Sequence, residues 1–326
     1  MRTGLFVDLR NPPGWRRPWA GLYRERLDRL RDAELRGIGS VWLTEHHLFE
    51  DGYLPRPLTF AAAVAARTER MRIGTAVLLA GLHHPVAIRE DATQVDILSD
   101  GRLELGIGAG YRAPEFERFD SDFADRFWLL ERRAEQLLDL WDDPDVTPPP
   151  LQPRAPLWIG AGGPRTARLA GRLGIGLLTL RRDLFAVYEE ALEAAGHDPA
   201  GARCAGPVFW ILARDPERTR ARIGSYIAYQ DETYSRYAAE GWPAEKAAHR
   251  SATDRTIEVL TTAEAIARLR SELADLPVTD AFFWDSIAAM PEEDADEHLE
   301  LLTAELAPAL ADFGAVTGPS PLGTAT

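Results

Sequence analysis

The sequence predicts an α/β protein: a single (β/α)8 TIM barrel with a helical insertion near strands seven and eight. Three observations carry this expectation. Short apolar runs alternate with longer amphipathic patterns along the chain, and there are enough of them for eight strands. The runs are apolar on both faces, as strands of a helix-covered parallel sheet must be. The length of 326 residues suits one barrel, whereas a doubly wound sheet of about six strands would leave elements over.

The elements follow in order. Gly4–Leu9 is the first strand. Leu22–Arg36 has apolar residues at helical spacing and stops at Gly37. Ser40–Glu45 is strand two, Leu58–Arg70 an alanine-rich helix, and Arg72–Leu79 strand three. Pro85 opens a helix to Leu98, a position where its missing N–H costs nothing. The turn Ser99-Asp100-Gly101 leads into strand four, Leu103–Gly108, and Asp125–Trp141 is a long helix. Prolines between Pro144 and Pro156 end that pattern. Leu157–Ala161 is strand five, Arg165–Leu173 a helix, Gly174–Leu180 strand six and Leu184–Ala195 a helix. Gly206–Ala213 reads as strand seven. Pro216–Ala239 and Ala244–Val259 read as polar helices of an inserted segment. Ala263–Leu273 is a helix, Thr279–Asp285 strand eight and Glu292–Leu310 the last helix. Residues 1–313 therefore form one barrel domain, and 314–326, rich in Gly, Pro and Thr, a disordered tail.

Composition removes several function classes. There are 51 acidic and 37 basic residues, a formal charge of −14, which argues against a nucleic-acid surface. The one cysteine, Cys204, excludes an internal disulfide and a cysteine-built zinc site. No run approaches the ~18 apolar residues of a membrane span. The N-terminal stretch is a poor signal peptide, so a cytoplasmic location is expected. Lys246 is the only lysine and there is no GxxxxGK, so Schiff-base and P-loop chemistry are not expected.

In a barrel of this kind chemistry sits at the C-terminal ends of the strands. Strand two ends in Thr44-Glu45-His46-His47. Neighbouring strand residues face opposite ways, so one histidine can reach the barrel mouth while the other turns to the helices. Alternatively both are structural. His83-His84-Pro85 after strand three adds more imidazoles, but no H-x-H pair occurs, and a helix start is the simpler reading of His84-Pro85 than a metal site. Strand four runs into Gly106-Ile107-Gly108-Ala109-Gly110, a weak dinucleotide signal but a reasonable platform for a planar ligand. Strand five runs into Gly160-Ala161-Gly162-Gly163-Pro164-Arg165-Thr166 and then a helix. Glycine amides, a helix N-terminus, the Thr166 hydroxyl and the Arg165 charge make this the best phosphate site in the chain. An ordinary βα loop is the alternative. Phe6, Trp42, Tyr111 and Trp284 punctuate the same face. Most belong to the core, with Trp284 a candidate pocket wall.

The stretch from Glu45-His46-His47 through RIGTAVLL, HHPV and LSDGRLELGIGAG, with the later WIGAGGPRT loop, resembles the bacterial luciferase-like flavin monooxygenase superfamily. The resemblance is strong over residues 1–141 and extends to about residue 180. It implies a barrel that binds reduced FMN, or the deazaflavin F420, at the C-terminal mouth. The family's functional histidine falls on His46. Its bulge after strand three, often with a non-prolyl cis peptide under the flavin ring, falls on Thr75-Ala76-Val77. The cofactor lies beside Gly108 and Ala109, with its phosphate at Gly162, Gly163 and Thr166. Luciferase-type members often carry an arginine where this chain has Ala109, and many F420-dependent members have a small residue there. Arg165 or Arg112 would then supply the charge.

The expected function is a monooxygenase that uses FMNH2 from a separate flavin reductase, with O2, on a small organic substrate. His46 holds or shuttles a proton, and the oxygen chemistry belongs to the cofactor. The alternatives are F420-dependent hydride transfer and a non-catalytic flavin-binding protein, with a metal hydrolase more distant. No metal, nucleic acid or membrane enters the expected partners, and barrels of this superfamily commonly form homodimers.

Overall fold

The structure is a computed structural model that describes residues 1–241, 257–311 and 313. The strands are β1 (Arg2–Val7), β2 (Ser40–Leu43), β3 (Arg72–Thr75), β4 (Leu78–Leu79), β5 (Leu103–Gly108), β6 (Leu157–Gly160), β7 (Gly176–Leu178), β8 (Cys204–Val208), β9 (Trp210–Leu212), β10 (Glu258–Leu260) and β11 (Val278–Trp284). The helices are α1 (Trp19–Leu35), α2 (Pro57–Ala65), α3 (Pro85–Leu98), α4 (Ala113–Arg118), α5 (Arg126–Trp141), α6 (Pro164–Leu173), α7 (Arg182–Ala194), α8 (Pro216–Ala239), α9 (Thr262–Glu272) and α10 (Glu292–Leu301).

The large sheet runs β3-β2-β1-β11-β8-β7-β6-β5-β4, and β3 also pairs with β5, so the ring closes. All its pairings are parallel. β3 and β4 together fill the third position: β3 meets the start of β5 and β4 meets its end. The architecture is the closed eight-stranded α/β barrel that the alternating pattern predicts.

Large side chains fill the ring. Trp42 stacks on Phe282 at 5.0 Å and meets Trp158 edge-on at 5.9 Å. Neighbouring strands supply glycines to admit them. A Cβ on Gly74 would lie 2.3 Å from Trp42, and one on Gly176 2.2 Å from Trp158. Truncating either fully buried indole to alanine would cost about 3–5 kcal/mol. Below this layer the strand starts carry charge. Arg2 forms a two-point pair with Asp280 at 2.9 and 2.8 Å, and Arg72 donates to Glu104 at 2.9 Å. The Trp158 indole donates to the second oxygen of Glu104. This plug closes the floor, so the barrel can open only at the C-terminal end of its strands.

Three expectations need correction. The run Arg72–Leu79 is not one strand, because the Ala76–Val77 peptide is cis and separates β3 from β4. The run Gly206–Ala213 belongs to two sheets. Pro207 has no N–H to extend the barrel ladder, and after Phe209 the chain leaves to form β9, which pairs with β10. Most of the helix expected over Ala244–Val259 falls outside the described residues, but Glu258 and Val259 are strand, with Val259 buried opposite Ile211. The insertion is therefore a 24-residue helix, α8, plus a two-stranded sheet among the described residues. Lys246 and the tail 314–326 also lie outside the described residues. The short helix α4 was not expected; Pro114 lies in its first turn. The final helix passes through a π-turn over Leu302–Leu306 just before Pro308, which cannot donate to the preceding turn.

Candidate active site

A cavity of about 600 Å³ opens at the C-terminal end of the barrel, within the ~300–1,000 Å³ usual for small-molecule sites. Its lower wall is aromatic, with Phe6, Phe282 and Trp284. Trp284 packs on Phe6 at 4.4 Å, as a pocket wall should.

The strand-two loop separates its two histidines. His46 lines the cavity and His47 does not. The His46 ring stacks on Phe49 at 4.8 Å, with the rings of Tyr53 and Tyr111 each at 4.9 Å. Its Nδ1 lies 2.9 Å from Glu115 Oε1, which leaves Nε2 as the nitrogen for chemistry. His47 turns outward, and its Nε2 donates to Glu45 Oε1 at 2.9 Å. His83 Nε2 donates to the same oxygen at 2.7 Å, and the Leu79 amide donates to Oε2. Burial opposes the Glu45 charge, but the His47 and His83 donors outweigh it and hold the carboxyl at about 2. Glu45, His47 and His83 bring their ligand-type atoms within 4.8 Å of one another. Hydrogen bonds account for this group, and Arg56 lies 3.3 Å from His83 Nδ1, where a second cation would be repelled. Its evident work is to tie the strand-two loop to the backbone just past the cis peptide. His84 and Pro85 start α3.

That bulge explains the β5 glycines, in the run read as strand four, better than ligand approach does. A Cβ on Gly106 would lie 2.0 Å from Thr75 O, and one on Gly108 2.3 Å from Val77 Cγ2. Gly160 faces Val77 in the same way at 2.8 Å. Ala76, Val77, Gly108 and Ala109 line the cavity. Thr75 does not; its hydroxyl donates to Gly106 O at 2.7 Å inside the sheet. Its side chain lies beneath the bulge, in the sheet.

The loop after β6 forms the opposite rim. Gly162, Gly163, Arg165 and Thr166 all line the cavity. Gly163 precedes α6, and a Cβ there would meet nothing within 4 Å, so packing of the protein does not demand this glycine. The amides of Arg165 and Thr166 lie in the first turn, where the helix has no acceptor for them. Thr166 Oγ1 donates to Gly163 O at 3.0 Å. Arg165 is exposed, has no carboxylate within 4 Å among the described residues, and lies over the Phe127 ring at 5.0 Å. It also repels Arg126, whose guanidinium pKa falls through burial and through this neighbour. A cation beside bare amides suits a phosphate. Arg112, the other candidate, is committed elsewhere: it pairs with Glu240, donates to His47 O and covers Tyr237. It does not line the cavity.

A profile described as luciferase-like monooxygenase matches residues 1–279. The chain belongs to the luciferase-like monooxygenase family. Among its relatives are the oxygenase component of flavin-dependent trigonelline monooxygenase from Acinetobacter baylyi, 28% identical over 53% of this chain and 52% of that protein, and an F420-dependent glucose-6-phosphate dehydrogenase from Amycolatopsis mediterranei, 32% identical over 55% and 60%. The chain thus spans about half the length of these relatives. The monooxygenase RslO1 from Streptomyces bottropensis has the same fold, with a TM-score of 0.77 at 24% identity over 94% of this chain and 99% of that one. The FMN complex of the 3,6-diketocamphane monooxygenase oxygenating constituent from Pseudomonas putida superposes with a TM-score of 0.72 at 17% identity over 95% and 98%. The family holds both FMN- and F420-dependent enzymes. No helix among the described residues is long and apolar enough to cross a membrane.

In this family member the insertion completes the cavity. Gln230 and Tyr234 of α8 line it, with Tyr53 from the strand-two loop. The Tyr53 and Tyr234 hydroxyls are 2.7 Å apart. Burial first, then Tyr234 and Asp8, push the Tyr53 phenol well above its usual pKa, so it stays a neutral hydroxyl. Behind them Arg10 donates to Asp51 and Gln230 and lies over the rings of Tyr53, Tyr229 and Tyr234. Sequence reasoning missed Glu115, Tyr53, Gln230 and Tyr234. A tyrosine flanked by turn residues gave a faint signal for Tyr53. Nothing local could show that Gln230, on a polar helix, meets a loop more than 170 residues earlier.

Proposed function

We propose that the chain is the oxygenating component of a flavin-dependent monooxygenase, fed with FMNH2 by a separate reductase, acting with O2 on a small organic substrate. The observation that carries this reading is the polarity of the cavity: an anion grip at one rim and a caged histidine with aromatic walls at the other. Gly163, the first amides of α6, Thr166 and Arg165 would hold the phosphate. Ala76, Val77, Gly108 and Ala109 would face the flavin ring. Bound there in its reduced form, the flavin supplies the electrons for oxygen chemistry. The residues of the chain do the rest. The closed floor and the aromatic walls exclude water. Tyr53, Tyr111, Tyr234 and Gln230 orient the substrate, which the walls make largely apolar with a polar end. His46 Nε2 takes or delivers a proton beside it.

Ala109 favours a second reading, F420-dependent hydride transfer. A methyl group stands where luciferase-type members often carry an arginine, so at this rim the charge would come from Arg165 and Arg181, which line the cavity after β6 and β7. Titration of the protein with FMN, FMNH2 and F420, followed by fluorescence, separates the two. Preference for FMNH2 with O2 uptake sustained by an added reductase supports the first. Preference for F420 without O2 uptake replaces it with the second. Absence of binding to all three sinks both.

A further inference from the structure

Glu115 sits in the first turn of α4, fully buried. Its Oε1 receives two donors: His46 Nδ1 at 2.9 Å and the His47 backbone N–H at 2.7 Å. Its Oε2 has no hydrogen-bond partner among the described residues. No arginine pairs with it there either; Arg112, three residues earlier, is committed to Glu240 and His47 O. The one group poised to answer its charge is the His46 imidazole.

We infer that Glu115 is the positioning residue of His46: it fixes the ring with its proton on Nδ1, turns Nε2 to the cavity as the basic nitrogen, and balances the charge when Nε2 takes a proton. The inference rests on the reading of His46 as the proton-handling group. A backbone N–H can only donate, so Glu115 Oε1 is an acceptor toward His47. With Glu115 as a carboxylate, that oxygen is also the acceptor toward His46, and Nδ1 carries the hydrogen. Without that bond a neutral imidazole has no fixed tautomer, and the ring is free to present N–H rather than a lone pair to the cavity. The step moves one proton and no electrons. A proton leaves an acidic group of the bound substrate, joins Nε2, and later leaves from the same atom, while the Nδ1–H stays throughout.

The unchanged chain and its Glu115→Gln and Glu115→Ala variants, free of flavin, are labelled with ¹⁵N-histidine and read at neutral pH by two-bond ¹H–¹⁵N correlation. His46→Asn identifies the His46 signals. The unchanged protein should show His46 protonated at Nδ1 alone. Glu115→Gln should keep that pattern, because an amide oxygen accepts from both donors. Glu115→Ala should lose it and show substantial Nε2–H form. Circular dichroism and thermal melting confirm that Glu115→Gln folds. An Nδ1–H pattern that survives in Glu115→Ala, or an Nε2–H pattern in the unchanged protein, overturns the inference. FMN and F420 titrations of the same samples separate this from the function itself. If neither flavin binds the unchanged protein, the proposed function fails whatever the tautomer. If Glu115→Gln binds flavin as the unchanged protein does, but its turnover falls about tenfold or more with KM unaltered, the charge-balancing part stands. Equal turnover in Glu115→Gln removes that part.

Discussion

Replacing Arg165 with methionine keeps a flexible unbranched side chain beside Phe127 and removes the guanidinium, which lies over that ring, from the candidate phosphate grip. The size of the effect follows from its surroundings. Two unit charges 4 Å apart interact by about 1 kcal/mol in water and about 4 kcal/mol near a protein surface. Arg165 is exposed, so the lower end applies to each phosphate charge. Arg126, close enough to feel the Arg165 charge, still adds a more distant positive field at this rim, which offsets part of the loss. The net expectation is about 1–2 kcal/mol, or roughly 5- to 30-fold in Kd. The assay is fluorescence titration with FMN and with riboflavin, which shares the ring but lacks the phosphate. Arg165→Met should weaken FMN by that factor and leave riboflavin unchanged. The FMN difference should shrink in 0.5 M salt, roughly in proportion to screening. Equal losses for both ligands would mean that Arg165 supports the ring or the loop, and no loss for FMN would place the phosphate elsewhere.

Other outcomes follow from the same geometry. His46→Ala should keep the fold, at a lower melting temperature because Glu115 loses a donor, and lower turnover by about 10² or more, the usual scale for a proton-transfer group; unchanged steady-state turnover would exclude that role. Thr166→Ala should weaken FMN by only about 1 kcal/mol in the same titration, because its hydroxyl already donates to Gly163 O and must exchange one bond for another. Gly108→Ala should destabilise the fold by about 1–3 kcal/mol in urea unfolding, since the new methyl overlaps Val77; a neutral result would mean the bulge is more compliant than its packing implies. His298 predicts an acid-sensitive stability. Its Nδ1 accepts from Leu212 N–H and its Nε2 donates to Trp284 O, so the ring is held neutral. Burial, reinforced by Arg29, lowers its pKa from 6.5 to about 3. The folded state therefore binds fewer protons than the unfolded chain below pH 6.5. Its contribution is full above that pH and is lost as pH falls toward 3, at up to ~1.4 kcal/mol per pH unit. Urea midpoints from pH 7 to 4 should show this slope, and His298→Gln should flatten it.

Much of the fold was legible because barrels are written in local patterns. Apolar runs such as Leu103–Gly108, bounded by turn residues and followed by amphipathic helices, announce buried parallel strands without knowledge of their neighbours. The loop Gly160–Thr166 was legible for the same reason, since glycines and a helix start lie together in sequence. Misreadings fell where a tertiary contact decided a local matter. The run Gly206–Ala213 has uninterrupted strand character, but Pro207 and a partner strand at Glu258–Leu260 divide it between two sheets. Arg112 looks like a phosphate ligand beside the glycine platform, yet Glu240 and the His47 carbonyl claim it first.

The amino-acid order alone determined the alternation of strands and helices, and through it the barrel, because side-chain period and turn chemistry act over a few residues. It also placed His46 at a strand end, where barrels expose their chemistry. Only the folded chain decided which histidine enters the cavity, that Glu115 waits 69 residues away to hold it, and that Gln230 and Tyr234 of the insertion close the wall. Those relations depend on distances between segments far apart in the chain, and a buried carboxylate meeting an imidazole leaves no periodic trace in either segment.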